Sequence, residues 1–290
     1  MNKLTITAIV FLLFSGSNFQ AQAKSSVWKI TKNNDHIYLA GTVHILPPSE
    51  FPLPQEFEQA YKQADELVFE TKLPDESDIA FQTKMMQALT YSGDKKLSDV
   101  ITKQTLSDLS TYATELGADI MMFDKFKPGL LLTFLTMMEA QRAGISGEGV
   151  DAYFSKLALK DGKALSYLES VDFQMNMMAQ MGVGYEDTFL QQNMEDFENF
   201  ADLLYSLIKA WRLGDTQALN RLAVEPMKKD PQSMKLILND RNTNWIPHIE
   251  KMFQDDNKEL VMVGAAHIVG EKGLIKLLEN KGYKVEQLSK

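Results

Sequence analysis

Two short runs in this chain share one grammar. Gly41-Thr42-Val43-His44-Ile45 and Gly264-Ala265-Ala266-His267-Ile268 each follow an apolar, strand-like segment, and each places an imidazole three residues after a glycine. The chain holds only four histidines, so half of them occupy this one setting. Glycine permits a sharp turn or a close backbone approach at a strand end. A histidine three residues later stands just outside the carboxyl end of its strand, the side on which open α/β sheets bind ligands. Paired imidazoles there can ligate a metal, or serve as general acid and base without one.

A carboxylate belongs with them. Glu70 closes the run ELVFE at 66–70 and emerges at the same edge if that strand runs parallel to the first. His44, Glu70 and His267 together suit a divalent ion such as Mn, Co, Zn or Fe, with positions left open for water and substrate. Such an ion lowers the pKa of a bound water and polarises a carbonyl. Glu169 closes KALSYLE at 163–169 in the same way and reads as a proton-handling group, a carboxylate behind the ligands, or a neighbour of the cap Ser170. Arg241, in Asn239-Asp240-Arg241-Asn242, precedes the helix of Trp245. It can hold a substrate carboxylate or a developing negative charge, or pair with a nearby acid. Asp151 reads as a helix N-cap rather than a ligand. His36 at a hairpin turn and His248 after Pro247, near a helix start, read as surface residues. There is no Gly-x-Ser-x-Gly elbow, no His-Glu-x-x-His helix and no phosphate loop.

The elements that must position these groups are legible at both ends of the chain. Runs at 27–31 (VWKIT) and 36–41 (HIYLAG) flank Asn33-Asn34-Asp35 and predict a hairpin. Further strands are expected at 66–70, 163–169, 259–264 (ELVMVG) and 283–288 (YKVEQL). The helix at 273–280 between the last two, closed by Gly282, predicts a parallel pair with a right-handed crossover. A helix at 55–64 precedes the third strand. The middle of the chain, about 75–160 and 170–255, is helical. Residues 104–116 carry Leu106, Leu109, Ala113 and Leu116 on one face. Pro128 opens a helix to about Arg142, a short helix spans 151–160, and Ser170 caps one holding Phe173, Met177 and Met181 on a face. A long amphipathic helix is expected over 187–213, its Met, Phe and Leu stripe being core. The expected fold class is α/β: one domain over 24–290, with a central mixed sheet formed by both chain ends and a large helical insertion.

Residues 1–23 read as a secretory signal: Lys3, an apolar run at 4–14 too short to span a bilayer comfortably, and the small-x-small site Ala21-Gln22-Ala23. Export fits a Gram-negative periplasm, with secretion to the outside as the other destination, and no stable membrane anchor is expected after cleavage. With no cysteine in 290 residues, the chain has neither disulfides nor redox thiols, and its stability must come from its core, with a bound metal as the other source. A net charge of −9 argues against nucleic acid as a partner and against a basic membrane-binding patch.

With these residues in view, the chain resembles the TraB/GumN family, related to the Tiki proteases and more distantly to erythromycin esterase and ChaN-like proteins. The resemblance runs from Trp28 and YLAGTVHILP through ADELVFET, GEGVDAYF, LSYLES and RNTNWIPHI to VMVGAAHIVGEKGLIKLLENKGYKVEQL. It implies a compact α/β fold with His44 and His267 in the site, and with Glu70 and Arg241 at the family's glutamate and arginine. Tiki proteases are metal-dependent peptidases, typically using Mn or Co, and ChaN-like proteins bind haem. The esterases carry further histidines near the second motif, where this chain has only His267. The expected function is therefore a metal-dependent hydrolase, most simply a peptidase, acting on a peptide or small molecule. In it His44, Glu70 and His267 hold the ion, Glu169 or Glu70 moves protons, and Arg241 orients substrate. Two other classes remain open: an exported haem-, metal- or peptide-binding protein without turnover, and an envelope interaction or inhibitory protein.

Overall fold

The computed structural model describes residues 24–289 apart from 75–76, 198 and 255. The expected signal at 1–23 lies outside the described residues. The strands are β1 (Lys24–Lys32), β2 (Asp35–Thr42), β3 (Ile45–Leu46), β4 (Glu66–Phe69), β5 (Gly147–Glu148), β6 (Ala164–Tyr167), β7 (Glu259–Gly264) and β8 (Lys284–Ser289). The α-helices are α1 (Gln55–Gln63), α2 (Ile79–Leu89), α3 (Lys103–Glu115), α4 (Pro128–Arg142), α5 (Val150–Asp161), α6 (Val171–Gln180), α7 (Glu186–Phe197), α8 (Phe200–Arg212), α9 (Thr216–Leu219), α10 (Pro231–Met234), α11 (Asp240–Lys251), α12 (Ala265–Ile268) and α13 (Leu274–Asn280).

The fold is α/β, with one mixed six-stranded sheet in the order β6-β4-β7-β2-β1-β8. Strands β6, β4, β7 and β2 are mutually parallel, and β1 runs against both β2 and β8. Asn33, with its positive φ of 55°, makes the two-residue turn between β1 and β2 possible. The first five residues of β7 are buried, as expected of a strand covered on both faces. One cover contains α1, α5 and α8, joined through Phe57, Phe154 and Trp211. The other contains α11 and α13, which carry the buried Trp245, Ile249, Leu274 and Leu278.

The expected pairing of the last two strands is corrected. β8 lies at the sheet edge on β1, separated from β7 by β2 and β1. The connection through α13 therefore passes over two strands, whereas the connection from β2 through α1 leaves in the opposite direction, past β7, to reach β4. The junction of β2 and β7 is thus a topological switch point, where the loops diverge and open a crevice.

The insertion carries a second core of its own. Leu97, Leu109, Phe123, Leu131, Phe189 and Phe197 are buried there, apart from the sheet cluster. The single helix expected over 187–213 is two, α7 and α8. Their division lets Phe189 and Leu190 serve the helical core while Ile208 and Trp211 serve the sheet core. On α6, Met175 is the buried side chain and Phe173 is exposed, so the face expected from Phe173, Met177 and Met181 is rotated. Arg241 and His248 both lie inside α11, which continues through Pro247; His248 is exposed. No helix among the described residues is long and apolar enough to cross a membrane.

Candidate functional site

The parallel register Gly41↔Val263 and Thr42↔Gly264 sets the two Gly-x-x-His turns side by side at the switch point. Next to β7, β4 ends at Phe69 and delivers Glu70 to the same edge; next to β4, β6 delivers Glu169, whose N–H donates to the Glu70 carbonyl at 2.8 Å. Gly264 is the floor of the crevice. A Cβ there would stand 3.3 Å from Glu70 Oε1 and 3.7 Å from both His44 Nε2 and His267 Cδ2. A side chain at this position would fill the space into which all three groups face. The Gly264 N–H donates to Glu70 Oε1 at 2.7 Å.

His44 is held from behind by Asp151. Its Nδ1 lies 2.9 Å from Asp151 Oδ2, and Thr42 Oγ1 donates to Asp151 Oδ1 at 2.7 Å. A backbone clamp makes this pairing possible. β3 and β5 form a short antiparallel ribbon, Ile45↔Glu148 and Leu46↔Gly147, and the Val150 N–H donates to the Val43 carbonyl at 3.0 Å. A Cβ on Gly149 would fall 2.0 Å from the His44 carbonyl oxygen, so only glycine lets the segment lie this close. Gly149 is itself the N-cap of α5. The expected cap role of Asp151 is therefore corrected: it is in the first turn, buried, and serves His44.

His267 meets the opposite surroundings. Its Nδ1 lies 2.6 Å from Asn242 Oδ1, so the ring carries its proton there and turns the Nε2 lone pair toward Arg241 Nη1 at 3.1 Å. Trp245 packs on the ring with centroids 4.4 Å apart. Arg241 bridges the cluster, with Nη2 donating to Glu70 Oε2 at 2.5 Å and to Glu169 Oε2 at 2.8 Å, and Nε donating to Glu169 Oε1 at 3.0 Å. A π-helical turn over Lys235–Asn239 precedes α11, and its Ile237 carbonyl accepts from Arg241 Nη1. Such turns are frequent at functional sites because they re-aim the side chains that follow. Glu169 also accepts from Trp245 Nε1 at 2.8 Å, so its oxygens are committed to holding Arg241 and Trp245.

The electrostatics divide along the same line. The Asp151 carboxylate raises the His44 ring, against a desolvation that would lower it, to about 9. His44 retains 70% of its side-chain exposure, so solvent moderates this pull without reversing it. Burial drives His267 down to about 3, with Arg241 acting in the same sense and Glu70 against it. Burial would raise the Glu70 carboxyl, but the His267 ring, Arg241, His44 and the Gly264 N–H more than reverse this and hold it at about 2. Arg241 is raised further, its carboxylate partners outweighing the effect of burial.

The structure thus brings His44, Glu70, Glu169, Arg241 and His267 to one place. The expected ligands do not converge on an ion as they stand. Among the described residues no group of three or more His, Asp or Glu side chains is arranged to hold one, and Arg241 Nη1 occupies the His267 lone pair that an ion would need. Asp151, Asn242 and Trp245 belong to the site as well. Trp245 lies one helical turn after Arg241 in the RNTNW segment, a spacing that could have grouped those two, whereas Asn242 directly follows Arg241 and carries no such signal. A search of curated proteins finds no match. The family model described as TraB/PrgY/gumN matches residues 26–287, nearly the whole chain, and the chain belongs to that family.

Proposed function

We propose that this chain is an exported hydrolase acting on a peptide or small-molecule substrate in the crevice over Gly264. The observation that carries the reading is that His44 Nε2 and Glu70 Oε1 both face the same small space, 3.7 and 3.3 Å from the point a Gly264 side chain would occupy. Two titratable groups pushed to opposite ends of the pH scale by their surroundings mark an acid and a base. Glu70, ionised and largely desolvated, orients the attacking water and takes its proton as the water oxygen bonds to the carbonyl carbon. His44, kept protonated by Asp151, donates from Nε2 to the leaving group as the bond to the carbonyl carbon breaks. Arg241 and Glu169 hold Glu70 and do not meet the substrate, their side chains being 4% and 7% exposed.

A second reading keeps a divalent ion (Mn, Co or Zn). It is favoured by the Asn242 contact, which presents the His267 Nε2 lone pair inward, as metal-bound histidines require. When bound, such an ion would supply Lewis acidity and an activated water. It requires Arg241 to withdraw from His267 and Glu70.

The test is cleavage of a defined peptide mixture, followed by mass spectrometry, for the purified protein and its His44→Gln and Glu70→Gln variants. The expected result is turnover that falls by about 10²–10⁴ in either variant and survives chelation. Turnover abolished by chelator and restored by Mn or Co moves the assignment to the second reading. No turnover by the unaltered protein, with or without added Mn, Co or Zn, removes both.

A further inference from the structure

The polar crevice opens into a cavity of about 360 Å³ whose lining is mostly apolar, with Thr71, Lys72 and Gln174 as further polar side chains beside the crevice groups. His44 and Glu70 stand at its polar end. One wall is α2, which turns Phe81, Met85 and Leu89 inward at helical spacing; the facing wall is α6, with Met175 and Met178. Only Leu89 of α2 is buried, although the helix is rich in apolar residues. Its inner face therefore packs on the cavity rather than on a core. Lys84 and Asp172 pair at 2.6 Å and tie α2 to α6 across the outer surface.

We infer that this cavity is a specificity pocket that takes one large apolar side chain, of Leu, Met or Phe size, from the substrate residue beside the scissile bond. The inference rests on the hydrolase reading for its orientation, because the acid and base line the same cavity. The volume is at the small end of the range for ligand sites and equals on the order of a dozen water-sized groups. It suits an aromatic ring or a branched aliphatic side chain with part of its backbone. Methionine walls suit it to several shapes, since their unbranched side chains adapt. Gln174, on α6, donates from Nε2 to both Glu70 Oε2 and Glu169 Oε2 at 3.3 Å, so the wall that meets the side chain also touches the base.

The test has two independent arms. In the first, the full chain labelled at its methionine methyl groups with carbon-13 is titrated with N-acetyl-phenylalaninamide, N-acetyl-leucinamide, N-acetyl-alaninamide and decanoate. The Phe and Leu amides should shift Met85, Met175 and Met178 saturably, the Ala amide should not, and Met85→Lys should abolish the shifts. Met85→Ala, milder toward folding, should weaken them. Shifts at these methyl groups with decanoate alone, or with no compound, overturn the inference. In the second arm, a peptide mixture differing only at one residue should be cleaved at least about tenfold better with Leu or Phe than with Ala, and Met85→Lys should narrow that ratio. Cleavage without apolar preference overturns the pocket and leaves the hydrolase standing. Methyl shifts without any cleavage support the pocket and remove the hydrolase.

Discussion

The two Gly-x-x-His turns have the same local design and opposite physical characters. Both end neighbouring parallel strands, and both lift an imidazole over Gly264. His44 has 70% of its side chain in solvent and a carboxylate on Nδ1; His267 has 5% and a carboxamide there. The first is therefore cationic at neutral pH, the second neutral. The tetrapeptide decides where a ring stands, while the residue bonded to its rear nitrogen decides its charge. One turn is equipped to exchange protons with a ligand, and the other to complete a buried scaffold with Arg241.

The largest effect should appear on stability, and on one side only. Arg241→Ala leaves Glu70 and Glu169 buried without their cation, a change that costs about 3–5 kcal/mol in comparable settings. His44→Ala removes an exposed ring and one ion pair, for which about 1 kcal/mol is the upper expectation. Denaturant melts of both variants beside the unaltered chain measure the contrast. Equal losses would mean that the scaffold extends through His44 and that the division is wrong.

How much of this could be read from residue order follows from what is local. The strand ends and their glycines carry short-range signals, so the six sheet strands and both histidine turns were legible, and Glu70, Glu169 and Arg241 with them. Pairing order is not local: β8 and β7 are joined by only two short helices, α12 and α13, yet β8 pairs with β1. Asp151 looked like a cap because it opens a helix, and only the ribbon of β3 and β5, two residues a side, brings it to His44. Asn242 was hidden, since its partner His267 lies more than twenty residues away, and only the one-turn spacing from Arg241 pointed to Trp245. The inner face of α2 was invisible as a pocket wall, because a helix facing a cavity and one facing a core show the same apolar spacing.

Acid and base should destabilise the molecule through different histidines. His267, lowered in the folded state to about 3, stays neutral while the unfolded ring takes a proton near 6.5. Its contribution is full above pH 6.5 and is lost as pH falls from there toward 3, and Glu70, lowered to about 2, extends the loss below about 4.5. His44 has the other sign. Raised to about 9, it stabilises fully below pH 6.5 and loses that contribution as pH rises from 6.5 through 9. Its exposure limits this alkaline limb to about 1 kcal/mol. Melts across pH should therefore show an acid limb flattened between 6.5 and 4.5 by His267→Gln, and an alkaline limb that His44→Gln removes. Exchange of the two assignments would refute the division of character.

The smallest change probes its cause. Asp151→Asn keeps the shape of the group behind His44 and removes its charge, converting the first turn toward the amide arrangement of the second. The Thr42 contact to Oδ1 can persist, so stability should move by no more than about 1 kcal/mol. The carbon-bound ring protons of His44, followed by NMR, should then titrate well below 9 and near the ordinary histidine value, while His267 remains without a transition between pH 5 and 9. A His44 midpoint unmoved by the substitution would show that the shift comes from Glu70 across the crevice. In that case the rear nitrogen's partner would not be what separates the two turns.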